Sequence, residues 1–303
     1  MMLQIALVFG TILILPSYLI VSLWKERETS QFKWLLKLLY SGMFLLYVFV
    51  AGRWDWTSYY LRYVFPVLFV AAAIASYRET KAQPFFAENG RGRWRHNLGA
   101  LVSLVVFMGF FAWAARGYFY SDTPVRLAFP LEEGWYYVGQ GGNSTSVNYH
   151  NSNSAQQYAL DVAELNALGV RARGIYPTTL ERYVIFGRMV RSPCDGTVAT
   201  VVDGLPDQIP PAADRQTPAG NHVVIACKGV NVLLAHLHAG SIVVASGDAV
   251  TSGQRLGRVG NSGNTSEPHL HIHAVRAGSG DVLKGDGVPI LFDGTFAVRN
   301  TTF

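Results

Sequence analysis

The chain has 303 residues, half of them hydrophobic, and its 25 Lys and Arg outweigh its 20 Asp and Glu to give a formal charge of +5. Mean hydropathy is positive, which excludes an ordinary, wholly soluble globular protein. The basic excess is mostly accounted for by loops between apolar stretches and forms no contiguous basic run, so it gives no ground for nucleic-acid binding.

Four apolar stretches, at about 3–24, 34–51, 58–77 and 98–115, lie within residues 1–116. Each has the roughly 18–22 residues needed to cross about 30 Å of hydrocarbon as a helix. None shows the polar face that a helix packed on a globular core would need. Met1-Met-Leu-Gln offers no basic leader and no small-residue cleavage site follows, so the first stretch reads as a retained helix rather than a secretory signal. Pro16 and Pro66 predict kinks that neighbouring helices accommodate.

Orientation follows from Lys and Arg in the short loops. Lys25, Arg27, Lys33 and Lys37 border the first loop, and Arg78, Lys81, Arg91, Arg93 and Arg95 lie in the third. The turn between them has only Arg53 and Arg62. The first and third loops are therefore expected in the cytoplasm, with both termini and the C-terminal half outside. Trp24, Trp54, Trp56, Trp94 and Trp113 lie near segment ends, as interfacial anchors do. No polar residue in these stretches marks a transport path, so the region reads as an anchor in the cell membrane.

Residues 117–134, with Pro124 and Pro130, read as a connector, and residues 135–303 as a separate domain. In that domain Gly139-Gln-Gly-Gly and Asn143-Ser-Thr-Ser predict turns. Short apolar runs predict strands near 158–163, 183–190, 194–203, 221–227, 230–237, 241–245 and 269–275, with little helical periodicity. Two insertions, 164–182 and the Pro-rich 205–219, are candidate walls of a binding groove. The two cysteines, Cys194 and Cys227, flank the second insertion and form no CxxC motif. If Val198 pairs with Val223 across that loop, they fall opposite each other, and an oxidising compartment permits a structural disulfide.

The chemistry concentrates in Glu267-Pro-His-Leu-His271. On a strand His269 and His271 project from one face, an arrangement suited to a metal ion or to one ligand beside one acid–base group. Upstream stand Ala-His236-Leu, Gly247-Asp-Ala-Val, Ser252-Gly-Gln-Arg-Leu-Gly257 and Val259-Gly-Asn-Ser-Gly-Asn-Thr-Ser. This ordered series resembles the M23 (LytM/lysostaphin-like) zinc metallopeptidases over residues from about Trp135 to Phe303. The resemblance implies a mainly antiparallel β metallopeptidase domain behind the all-α, four-helix membrane region.

It also implies one Zn²⁺ held by His150, Asp161 and His271, with water in the fourth position. His236 and His269 match the family's two non-ligand histidines, which share acid–base work and oxyanion stabilisation; which does which stays open. Family members place the first two ligands as His-x-Gly-x-Asp, whereas eleven positions separate His150 from Asp161 here. Asn151, Ser152, Asn153 and Ser154 suit a loop between them, and closing such a loop adds little entropy cost. His238 and His273 continue the strand alternations without a part in the motif, His222 falls at a variable strand position, and His96 lies in a cytoplasmic loop. Asn148, Tyr149 and Tyr158 neighbour the expected ligands and are candidates for substrate contact. The implied function is hydrolysis of peptide bonds in peptidoglycan. The alternative is a catalytically inactive LytM-like module that binds or activates another wall hydrolase. Zinc, the lipid bilayer and peptidoglycan peptides are thus the expected associates.

Overall fold

Uniformly apolar stretches with basic ends fold as helices, and the computed structural model places them as the sequence predicts. It describes residues 2–86, 93–278 and 281–303. Met1–Trp54 with Ser58–Ala115 make one compact unit, and Asp55–Thr57 with Arg116–Phe303 the other.

In the first unit α1 (Met2–Phe9) continues through a π turn, Gly10–Ile14, into α2 (Leu15–Lys25). The wide turn, closed by Leu15 N–H on the Gly10 carbonyl, lies directly before Pro16, which has no N–H to give. Then come α3 (Gln31–Ala51), α4 (Leu61–Thr80) and α5 (Arg93–Ala115). Four helical segments, Ile5–Lys25, Gln31–Ala51, Leu61–Thr80 and Asn97–Tyr118, are long and apolar enough to cross a membrane. Ser30 caps α3 by accepting from Lys33 N–H. Gln31 donates its side-chain amide to the carbonyls of Lys81 and Gln83, and the N–H groups of Gln31 and Phe32 reach Pro84 and Phe85. The loops that follow α2 and α4 therefore lie at the same end of the unit. Lys37 is buried there and paired with Glu26 at 2.6 Å and Glu28 at 3.0 Å. Arg91 lies outside the described residues, as do the side chains of Arg93, Trp94, Arg95 and His96.

The second unit is built on β structure. Its strands are β1 (Val125–Leu127), β2 (Tyr136–Gln140), β3 (Leu160–Glu164), β4 (Met189–Arg191), β5 (Gly196–Val202), β6 (Asn221–Cys227) and β7 (Val230–Leu237). Then follow β8 (Ala249–Val250), β9 (Arg255–Arg258), β10 (Leu270–Arg276), β11 (Gly287–Val288), β12 (Ile290–Phe292) and β13 (Thr295–Phe296). The main sheet runs β2-β3-β10-β7-β6-β5-β8, every pair antiparallel, with β11 also on β10. The lone parallel pair among the described strands, β1 with β12, belongs to a small separate sheet.

Alternation sorts the two faces. Leu160 and Val162, Val232 and Leu234, and Leu270 and Ile272 point into the hydrophobic core. The intervening residues Asp161, Leu233, Ala235, His271 and His273 therefore share the opposite face. There His271 stands between Asp161 on β3 and Ala235 on β7.

Several expectations need correction. The 183–190 stretch is mostly irregular, with strand only at Met189–Arg191, because a 3-10 turn at Leu180–Arg182 leads into it. Residues 241–245 form no strand; Val243 N–H reaches the Leu256 carbonyl but the segment adds no ladder. Conversely, β2 runs through Gly139 and Gln140 where the glycines predicted a turn, and β1 interrupts the connector. Cys194 and Cys227 are bonded with a Cα–Cα distance of 6.1 Å. The register is not the expected one: Val198 opposes Ile225, and Val223 opposes Val201 beyond a bulge. Cys194 precedes β5, and the bend at residues 193–195 carries it to Cys227.

Candidate metal centre

Asn148 shapes the turn that carries His150. It is fully buried, its side-chain oxygen accepts from His150 N–H, and its amide donates to the carbonyls of Gly142, Gln157 and Ala159. Two 3-10 turns, Tyr149–Ser152 and Ser154–Gln156, then fold the chain back toward β3. The long interval thus closes on itself: His150 Nε2 lies 3.0 Å from Asp161 Oδ1. From β10, His271 Nδ1 lies 2.9 Å from the same oxygen. The ligand atoms of His150, Asp161 and His271 all lie within 4.8 Å of one another, as do those of His236, His269 and His271.

The donor set suits zinc. Two imidazoles and one carboxylate, held on rigid strands and a capped turn, are ligands that zinc takes, and three of them leave a position for water. Burial would raise the Asp161 carboxyl, but the imidazoles of His150 and His269 outweigh it and hold the group well below the usual carboxylate range. Burial pushes His271 down to about 4, so it stands as a neutral imidazole able to ligate.

His236 and His269 flank this cluster, with ring centroids 4.8 Å apart. His236 has φ of 62°, a left-handed conformation rare outside glycine and costly for a side chain of this size. Its N–H is held by the Ala219 carbonyl and its own carbonyl by Gly260 N–H. Gly220 and Gly263 make the crossing below it possible: both have positive φ, and a Cβ on either would run into the backbone of the other strand segment. His236 Nδ1 donates to the Ser262 carbonyl at 2.8 Å, and His269 Nδ1 donates to the Glu267 carbonyl at 2.8 Å. In its neutral form each ring therefore has Nε2 as the unprotonated nitrogen. Burial, aided by the neighbouring imidazoles, pushes His236 well below its ordinary value. Burial also opposes charge on His269, but the adjacent Asp161 carboxylate outweighs it and raises that ring. A cation at Asp161 would cancel much of that pull, so the asymmetry belongs to the metal-free site.

The cluster opens into a groove of about 350 Å³. Tyr149, Asn153 and Gln156 form one side, Pro218, Ala219 and Asn264 another, and Leu233 and Ala235 the floor. A second cavity of about 240 Å³, beside His222 and Asp281, shares Ala219, Leu233 and Leu283 with it. The Pro-rich insertion thus contributes its last residues to the wall. Tyr149 faces the groove with its ring centroid 4.0 Å from that of His150. Tyr158 does not; it is buried and donates to Asp122. Asn148 likewise acts on the backbone under His150 rather than on the groove.

His238 leaves the strand face because β7 turns at His236. Its Nδ1 pairs with Asp207 at 2.5 Å, and its ring packs on Phe186. His273 lies behind His271 and away from the groove. His222 donates Nδ1–H to the Gly220 carbonyl. Asn148, Asp207 and Thr265, the last bonded to Asn261 and to the Glu267 carbonyl, were not singled out for these roles by sequence. Nothing in their spacing distinguishes a cap or a backbone brace from an ordinary loop residue.

The antiparallel β domain thus carries, at a groove, a histidine–carboxylate cluster that could hold a metal ion. The sequence model described as Peptidase family M23 matches residues 183–282, a span that includes His236, His269 and His271 and begins after His150 and Asp161. Residues 183–282 thus carry the sequence pattern of peptidase family M23. It is similar to the peptidoglycan DD-endopeptidase ShyA of Vibrio cholerae, with 30% identity over 152 residues, or 50% of this chain and 32% of that protein. The chain thus spans about a third of that relative's length. Among solved structures it is similar to a zinc containing peptidase from Vibrio cholerae, at 19% identity and a TM-score of 0.30, covering 50% of this chain and 37% of that one. Another is the catalytic domain of the antimicrobial peptidase lysostaphin from Staphylococcus simulans, at 17% identity and a TM-score of 0.25, covering 38% of this chain and 84% of that one.

Proposed function

We propose that the chain is a membrane-anchored zinc metalloendopeptidase that cleaves peptide cross-links or stems of peptidoglycan on the extracytoplasmic side of the cell membrane. The observation that carries this reading is the convergence of five side chains at one groove: His150, Asp161 and His271 as ligands, His236 and His269 as acid–base groups. The similarity to the peptidoglycan DD-endopeptidase of Vibrio cholerae supports the substrate class.

Zinc held by the three ligands would supply a water of lowered pKa and polarise the scissile carbonyl. His236 and His269 would handle protons at their Nε2 atoms, because Nδ1 of each is committed to a main-chain carbonyl. One takes the proton of the attacking water at Nε2, and a proton then reaches the departing amine nitrogen from the Nε2–H so formed, or from the other ring once that ring is protonated at Nε2. Tyr149 and Pro218 flank the path of an extended peptide over Ala235 and Leu233 and hold it beside the cluster. The apolar helices hold the domain near the membrane, and the positive-inside pattern sets it facing the wall.

The test is digestion of purified peptidoglycan by the full-length protein in detergent, with products identified by mass and zinc measured on the same sample. Near-stoichiometric zinc and cleaved cross-links or stem peptides, both lost on chelation, are expected. Intact peptidoglycan with a metal-free protein would replace this reading by that of a binding or activator module.

A further inference from the structure

His273 is 1% exposed and has no part in the roles above. Its Nε2 lies 3.0 Å from the Val282 carbonyl oxygen, and its Nδ1 lies 2.9 Å from His271 Nε2. A carbonyl oxygen only accepts, so the proton of His273 is on Nε2 and its Nδ1 offers a lone pair. His271 then donates its Nε2–H to that lone pair. Its Nδ1, 2.9 Å from Asp161 Oδ1, is left as the unprotonated nitrogen facing the ligand cluster. The reverse assignment needs a second proton on His273. That would be a buried cation whose hydrogen-bond partners among the described residues are an imidazole and a carbonyl.

We propose that His273 is a positioning residue for the metal centre: it fixes His271 as the Nε2–H tautomer, so that Nδ1 is the ligating atom. This rests on His271 being a ligand, as proposed above. The competing tautomer explains why a positioning group is needed. Without an acceptor behind it, the Nε2–H of His271 is a buried donor with no partner. Moving the proton to Nδ1 satisfies it on Asp161 instead, and that hydrogen bond blocks the nitrogen the metal needs. His273 removes the incentive for this shift. Val282, on the segment between β10 and β11, fixes His273 in turn, so the second ligand strand is braced from behind by its own continuation. A ligating histidine whose other ring nitrogen is held by a fixed partner is the arrangement that sets orientation and basicity in metal sites.

Two substitutions of similar volume separate hydrogen bonding from packing. In His273→Asn the side-chain oxygen takes roughly the place of Nδ1 and keeps the acceptor; in His273→Leu the acceptor is lost. Full-length protein in detergent is titrated with zinc against a competing chelator, and the cobalt-substituted form is examined by its visible ligand-field absorption. His273→Leu should bind zinc about 10–100-fold more weakly, with an altered cobalt spectrum, while His273→Asn recovers most of the affinity and the unsubstituted spectrum. Equal losses in both variants, or unchanged affinity in a cooperatively melting His273→Leu, would overturn the proposal. Should His273→Leu fail to fold, His273→Asn decides: near-native affinity supports the role, and a loss of tenfold or more refutes it. Absence of zinc binding in the unsubstituted protein would remove the underlying ligand assignment, and the proposal with it, before any variant is compared.

Discussion

Removing the Cys194–Cys227 bond should cost stability and leave the metal centre intact. The two residues are 33 positions apart in sequence. Closing a loop of that length removes unfolded-chain entropy equivalent to about 3.7 kcal/mol at 25 °C, before native-state strain is subtracted. For a domain of about 150–250 residues each kcal/mol moves the midpoint by roughly 2–4 °C, so the double Cys→Ser variant should melt roughly 7–15 °C earlier. The bond sits at the turn end of the β6–β7 hairpin, where Cys227 opposes Val230. His236 lies six residues along β7 from that turn, about 20 Å away at strand rise. Strain or loosening at the disulfide therefore has no short route to the ligands. The assay is thermal unfolding of the full-length protein in detergent, with and without reductant, and zinc content measured below each midpoint. Equal midpoints for the two proteins under oxidising conditions would refute the entropic argument. Loss of zinc from a still-folded variant would refute the separation of the bond from the site.

His150→Ala, Asp161→Ala and His271→Ala should each abolish zinc binding and hydrolysis, read by metal analysis and peptidoglycan digestion; native zinc in the Asp161 variant would show that its carboxylate is no ligand. His236→Ala and His269→Ala should keep zinc and lose about 10²–10⁴-fold in turnover, and metal loss in both would merge the two groups of residues. A reporter that works only outside the cytoplasm should be active when fused after Phe303 and silent at Gly90, and the opposite pattern would overturn the charge-based orientation. His222 is pushed below its ordinary value of 6.5, chiefly by burial, although its bond to Gly220 opposes the shift. A folded pKa below the unfolded one means stability is lost as pH falls through about 6.5, so His222→Gln should flatten that acid limb in a pH series of melting curves; an unchanged slope would count against the burial argument.

The parts legible in the sequence were those that obey a period. Full apolar stretches marked the helices, and short apolar runs marked β6 and β7 to the residue. Alternation put His269 and His271 on one face. What was not legible depends on backbone geometry that no period encodes. His236 looked like a strand residue aligned with His238, yet its left-handed φ ends the alternation and sends His238 to Asp207. Gly139 read as a turn because glycine usually breaks strands, but pairing with β3 overrides the local preference. The His150–Asp161 interval looked anomalous only because spacing in sequence stood in for distance. Asn148 restores the distance by capping the turns between, a role any loop asparagine could have.

His236 and His269 share a feature with an evolutionary consequence. Nδ1 of each ring bonds a main-chain oxygen, that of Ser262 or Glu267, and His269 Nδ1 also lies 3.2 Å from Thr265 Oγ1. Every residue type except in its side chain presents the same carbonyl. If both rings act as proposed, the aim of their Nε2 atoms depends mainly on the path of the backbone, with Thr265 as a loop side chain that also contacts His269. Under the proposed function, groove residues such as Gln156 and Asn264 could be exchanged to suit a different peptide without re-aiming the two histidines. In the proposed enzyme specificity would rest on groove side chains, and the aim of the two histidines chiefly on backbone.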